Sequence, residues 1–194
     1  MAELNAKVKN IKRNLILEEA LLMFEEFGYE DIKISDLAKK VGVSVGTIYS
    51  YFKSKDELYS ACVDSEIKKA YEISKELFAQ DISNEEKIKR AINIKLSIIG
   101  DKKKSLASGA FNNPFFFEAH QMQHKDTINE IYKFYIQPID ELKEVDIESI
   151  QLVYILNSLS NAYILRWIEG DIESLQDVDE EIFSVFMSIL KGCK

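Results

Sequence analysis

Apolar residues fall on one side of a helical repeat through much of the chain. Leu17, Ala20, Leu21, Phe24 and Phe27 recur at three- and four-residue steps, the spacing of one helix face, and predict a first helix over residues 8–27. Gly28 follows as a stop, since a glycine just past a helix accepts a left-handed backbone. Ile34, Leu37, Ala38 and Val41 predict a short second helix. Gly42-Val43-Ser44 reads as a tight turn, and Ser44 is a suitable N-cap for a third helix over residues 45–52. There Ile48 and Phe52, four apart, bury one face. Ser54, three residues before Glu57, forms a capping box that opens a long fourth helix reaching about residue 80.

The pattern stays helical to the end. A helix over 84–99 stops at Gly100, and D-K-K-K-S (101–105) reads as a solvated connection. A short helical piece is expected at 106–111. Another helix runs over 114–136, with Pro114 in its first turn and Pro138 as its breaker. A strongly apolar helix over 146–169 ends at Gly170, and a last one covers 179–190. No strand alternation and no repeat interrupts this series. The fold class expected is all-α: an N-terminal three-helix helix-turn-helix domain over residues 1–55, then a helical ligand-binding and dimerisation domain over residues 56–194.

Charge refines the picture. The 194 residues carry a net charge of −8, but unevenly. Residues 1–60 hold nine Lys/Arg against ten Asp/Glu, and the remainder sixteen against twenty-three. Residues 1–13 and 33–55 are locally basic and suited to a polyanion. Two cysteines, Cys62 and Cys193, are too few for a disulfide framework or a zinc cluster and fit a reducing cytoplasm. A secretory leader is not expected from the polar N-terminus, nor a membrane span from apolar runs this short.

The turn at 42–44 joins two short helices as a helix-turn-helix, in which the second helix enters the major groove. With Ile48 and Phe52 inward, Val45, Gly46, Thr47, Tyr49, Ser50 and Tyr51 are left outside. Tyrosine hydroxyls there can bond phosphate oxygens. Gly46 permits close backbone approach. Thr47 and Lys55 each lie at a helix start, where free N–H groups favour an anion.

The segments I-L-E-E-A-L-L-M-F-E-E-F-G-Y (16–29), D-L-A-K-K-V-G-V-S-V-G-T-I-Y-S-Y-F (36–52) and K-S-K-D-E-L (53–58) closely resemble the DNA-binding domain of TetR-family transcriptional repressors. The resemblance covers residues 12–60. It implies that Ser44 caps the recognition helix and that Val45, Thr47, Tyr49 and Ser50 face bases or nearby phosphates. Tyr51 and Lys55 grip the backbone, and Gly46 gives close approach. The chain departs from the family at Lys33, where Thr or Ser is common; this weakens the cap of the bracing helix while offering a cation to phosphate. It departs again at Val45, often polar or basic, which leaves apolar contact with a thymine methyl in place of a hydrogen bond.

For the C-terminal part the resemblance is one of architecture and length, and implies a homodimer enclosing a small-molecule effector. The apolar helix 146–169 is hydrophobic around much of its circumference, as a helix buried on more than one side is. With the last helix it can build a four-helix interface with a second copy; Leu156, Leu159, Tyr163, Ile182, Phe183, Phe186 and Ile189 are the candidates. The alternative is that it forms only the core of one protomer. Phe111, Phe115, Phe116, His120, His124, Tyr154, Asn157, Asn161 and Trp167 are the candidates for a pocket for an apolar or amphipathic ligand, against the alternative of plain core packing. His120 and His124 share the i, i+4 spacing of metal ligands, but no acidic residue or cysteine joins them, so neither a metal nor a cofactor is expected. Phosphate-binding and dinucleotide motifs are absent, as are the paired E-x-x-H motifs of helical di-iron enzymes. No catalytic residue is expected.

The function expected is therefore a cytoplasmic, sequence-specific DNA-binding regulator: a homodimer on a palindromic operator, released by a small apolar or amphipathic effector. The alternative is a helical small-molecule binding or scaffold protein without DNA-binding activity.

Overall fold

A computed structural model of the chain describes residues 2–100 and 124–192. Among them are eight α-helices and no strand: α1 (Ala2–Phe27), α2 (Ile34–Val41), α3 (Val45–Tyr51), α4 (Lys55–Phe78), α5 (Asn84–Gly100), α6 (Lys125–Leu142), α7 (Ser149–Glu169) and α8 (Asp179–Leu190), with a 3₁₀ turn at Leu175–Val178. The chain divides into two compact units. One comprises the described residues up to Glu66, the other those from Ile67 onward, so α4 begins in the first and ends in the second. The expected helical piece at 106–111 and the start of the helix at 114–136 lie outside the described residues.

In the first unit α1 extends further toward the N-terminus than its apolar stripe does. Leu4, Val8 and Ile11 are exposed, so this extension owes nothing to burial; a run of good helix formers without Gly or Pro sustains it. Farther on, Ile16, Leu17, Ala20, Met23 and Phe24 are buried and meet Leu37 and Ala38 of α2, Ile48 of α3, Phe52, and Leu58, Tyr59 and Cys62 of α4. Phe27, which the spacing assigns to the stripe, is instead exposed; it is the last helical residue, where Gly28 (φ 83°) turns the chain. An aromatic cluster locks the start of α4 to α1. The Tyr59 ring lies edge-on to Phe24 (centroids 4.9 Å apart) and to Tyr29 (5.5 Å), an arrangement worth about 0.5–1.5 kcal/mol per pair beyond burial. The Tyr29 hydroxyl donates to the Asp56 carboxylate.

In the second unit α5 is central, packing on α6, α7, α8 and the 3₁₀ turn. Ile88, Ala91, Ile92 and Leu96 of α5 are buried with Ile139, Leu152, Val153, Leu156, Ile164, Leu175, Ile182, Phe186 and Leu190. Pro138 does not end its helix: α6 continues through it to Leu142. A mid-helix proline forfeits one hydrogen bond and crowds the carbonyl four residues back. Here the next residue, Ile139, is fully buried, so ending the helix at the proline would take a core side chain out of place.

Candidate nucleic-acid interface

The helix-turn-helix is built by its caps. Gly42 ends α2 in the left-handed region (φ 74°), with its N–H directed to the carbonyls of Ala38 and Lys39. The Val43 N–H then reaches back to the Ala38 carbonyl at 2.9 Å, closing the turn. Ser44, extended at φ −78°, caps α3: its Oγ accepts the Thr47 N–H at 3.0 Å. The start of α4 is closed from both sides, Ser54 Oγ accepting the Glu57 N–H (3.0 Å) and the Glu57 carboxylate accepting the Lys53 N–H (2.7 Å). By contrast Lys33, at the N-cap of α2, makes no side-chain cap bond. Its chain stays exposed.

These caps hold α3 with one side in and one side out. Ile48 is 1% exposed, while Tyr49 is 47% and Val45 38% exposed. Ser44, Gly46 and Ser50 also lie on the open side, and Thr47 is half-buried. Neither Tyr49 nor Tyr51 spends its hydroxyl on a described residue. Tyr51 lays its ring partly against the core beside Phe52 (centroids 6.4 Å apart). Two hydroxyls are already committed. The Ser44 and Thr47 oxygens lie 2.8 Å apart, and the Ser50 O–H donates to the Thr47 carbonyl at 2.6 Å, so Ser50 reaches outward as an acceptor only.

A Cβ on Gly46 would meet only Ser44 Oγ, at an ordinary 3.7 Å. Nothing among the described residues requires glycine there, and its bareness is suited to something that approaches from outside.

Cations stand at the starts of α2 and α4. Lys33 and Lys53 are exposed and ion-pair with no described residue. Lys55 stands at the first turn of α4, its Nζ over the Tyr29 ring (4.5 Å) and donating to the Glu30 carbonyl at 3.2 Å. It is held in place rather than free-swinging, with donors to spare for a phosphate. Lys53 belongs with the named candidates although the site reading left it out; its exposure next to Tyr51 and Lys55 is the signal, and it sits inside the K-S-K-D-E-L run. Lys39 and Lys40 are spent within the unit on Asp36 (3.2 Å) and on Glu19.

An exposed recognition helix with an apolar back, a hydroxyl and phenol front and flanking lysines is suited to a DNA groove. The sequence profile of the bacterial regulatory proteins of the tetR family matches residues 16–62, the whole of this arrangement. Residues 16–62 carry the domain of the tetR family of bacterial regulatory proteins. That match supports a DNA-binding transcriptional regulator.

Among TetR-family and related proteins, the fatty acid metabolism regulator protein of Bacillus subtilis (strain 168) is 28% identical over 147 residues, 74% of this chain and 72% of the relative. The fatty acid degradation regulator FadR from Bacillus halodurans superposes with a TM-score of 0.71 at 17% identity, over 92% of this chain and 99% of that one. The transcriptional regulator FadR from Bacillus subtilis, solved in complex with stearoyl-CoA, gives 0.62 at 20% identity, over 90% and 97%. At these identities the two structures share the fold.

The C-terminal candidates separate into three groups. Phe111, Phe115, Phe116 and His120 lie outside the described residues. Trp167 and His124 are buried, the latter at the start of α6. Tyr154 is 45% exposed, its ring edge-on to Tyr132 (5.4 Å). Asn157 and Asn161 sit together, one turn apart on α7, and both bond Lys95 of α5. Lys95 was not a candidate, yet its register marked it: it follows the buried Ile88 and Ala91 by seven and four residues.

Of the candidates for contact with a second copy, Leu156, Ile182 and Phe186 are buried within the protomer, with no surface left for another chain. Leu159, Tyr163, Phe183 and Ile189 are half-buried. Among the described residues no helix is long and apolar enough to cross a membrane, and no group of three or more His, Cys, Asp or Glu could hold a metal ion.

Proposed function

We propose that the protein is a repressor and acts as a homodimer that places its two α3 helices in successive major grooves of a palindromic operator. An amphiphile with a long acyl chain, a fatty acid or its coenzyme A thioester, releases it. The observation that carries the DNA reading is the open face of α3, Val45, Gly46 and Tyr49 outward with Ile48 inward. In this reading Thr47, Tyr49 and Val45 meet base edges, and Tyr51, Lys33, Lys53 and Lys55 meet phosphates. A scaffold protein has no use for a bare glycine and unspent phenols on that surface.

A dimer follows from the size of the site, since one short helix reads only a few base pairs and a two-fold pair doubles the contact. The surface suited to it is the open stripe of α7, Tyr154, Ile155, Ser158 and Ala162, beside Val185 of α8. Ser158 and Ala162 allow close helix approach there. The acyl ligand is supported by the likeness to a fatty acid metabolism regulator and to a FadR holding stearoyl-CoA. Release requires the ligand to bind the off-DNA state more tightly than the on-DNA state.

The experiment is a gel-shift titration on a duplex selected by the purified protein, repeated with lauroyl-CoA and with dodecanoate. Formation of a dimer–DNA complex that either ligand dissociates is expected. A complex that neither ligand disturbs at saturating concentration contradicts the effector reading, and the absence of any complex contradicts the whole.

A further inference from the structure

Lys95 projects from α5 within the second unit, and its ammonium meets no carboxylate among the described residues. Its Nζ donates to Asn157 Oδ1 at 2.9 Å and Asn161 Oδ1 at 2.9 Å, with the Asn157 backbone carbonyl at 3.5 Å. A lysine only donates, so both asparagines must turn their oxygens toward it. Their Nδ2 groups then point away, and neither amide nitrogen has an acceptor among the described residues. The result is a cluster of one cation and two amides whose unspent groups are all donors. Lys95 is half-buried, and a cation partly withdrawn from water is ordinarily met by a carboxylate, because an uncompensated charge in a lowered dielectric is costly. Helices α6, α7 and α8 and the 3₁₀ turn all pack on α5, yet none of their described carboxylates reaches Lys95. Glu180 is spent on Lys89, Asp179 accepts from Asn93 at 2.9 Å, and Glu181 faces Tyr163.

The geometry points to a carboxylate-binding site: Lys95 with Asn157 and Asn161 takes the carboxylate head of a fatty-acid-like amphiphile, the ammonium supplying charge and the two Nδ2 groups supplying direction. This rests on the reading of the repressor's effector as an acyl amphiphile, and deepens it by selecting the head group. A thioester carbonyl offers one neutral acceptor and no charge. A carboxylate offers two oxygens and the charge that the cluster lacks, and charge-assisted bonds are roughly twice as strong as neutral ones. Burial alone lowers the proton affinity of Lys95, so an arriving carboxylate draws a proton onto the amine.

The test is calorimetric titration of the full-length protein with dodecanoate, dodecanol and lauroyl-CoA at pH 7.5, in two buffers of different ionisation enthalpy. Wild type is expected to bind dodecanoate with net proton uptake. Lys95→Met is expected to weaken dodecanoate at least tenfold, to abolish the uptake, and to change dodecanol less than twofold. Asn161→Leu, which keeps the amine, is expected to weaken dodecanoate about fivefold and serves should Lys95→Met fail to fold. Equal dodecanoate affinity in wild type and variants overturns the site. Binding of lauroyl-CoA by the wild type without binding of dodecanoate also overturns it, while leaving the acyl effector standing; no binding of any of the three overturns both.

Discussion

Ser44 and Thr47 close the start of α3 on each other: the Thr47 N–H donates to Ser44 Oγ at 3.0 Å, and the two side-chain oxygens stand 2.8 Å apart. One serine thus sets where α3 begins and fixes the hydroxyl of Thr47, the residue proposed to face the groove. Replacing an N-cap serine by alanine costs about 1 kcal/mol, so Ser44→Ala should lower unfolding stability by about that much in urea titrations. Ser44→Asp keeps the cap and the stability but adds a negative charge to the interface, and should weaken DNA binding more than Ser44→Ala does.

Gly46 separates folding from function more cleanly still. A methyl group there meets only Ser44 Oγ, at 3.7 Å, and alanine outranks glycine inside helices by about 1 kcal/mol. Gly46→Ala should therefore raise the melting temperature while weakening operator binding at least tenfold. Unchanged DNA affinity in this variant would remove the argument for close backbone approach.

The two exposed lysines give a graded signal. Each phosphate neutralised contributes about 0.9 to the slope of log affinity against log salt. Lys33→Ala and Lys53→Ala should each flatten that slope by about one per protomer and weaken binding to all sequences alike. Thr47→Ala and Tyr49→Ala should shift the preferred sequence with little change in slope.

Lys95 makes a prediction about pH. Burial pulls its ammonium down to about 7 in the folded protein, against about 10.4 for an unperturbed lysine. Between these values the unfolded chain binds more protons, so stability from this group rises with pH. The folded state bears the full penalty of the charged amine below pH 7 and sheds it as pH climbs. Thermal melts at pH 7 and 9 should show wild type gaining on Lys95→Met at the higher pH. A constant difference between the two proteins would contradict this.

Much of this molecule can be read along its length, and the reasons differ by region. The first unit is legible because its signals are local: Gly42 and Ser44 fix their helix ends through backbone and side-chain bonds within five residues, and α2 falls where its apolar spacing places it. The bounds of α8 are equally plain. Legibility fails where tertiary packing overrides a local rule. Pro138 announces a break, yet the burial of Ile139 carries α6 past it. Leu156, Ile182 and Phe186 look like any apolar stripe, and only packing shows that they face their own core. Lys95 is a mixed case: its spacing from Ile88 and Ala91 puts it on the inward side of α5, but its two asparagine partners lie more than sixty residues away.

The central claim is that the Val45–Tyr51 helix reads duplex DNA from its open side. Its most direct measurement is selection of bound duplexes from a random pool by purified wild type and by Tyr49→Ala, in dilute buffer. Wild type should enrich a palindrome with half-sites about 10 base pairs apart, centre to centre, and the variant should lose or alter that consensus. A pool that stays random with wild type, or a consensus that Tyr49→Ala leaves untouched, would contradict the account.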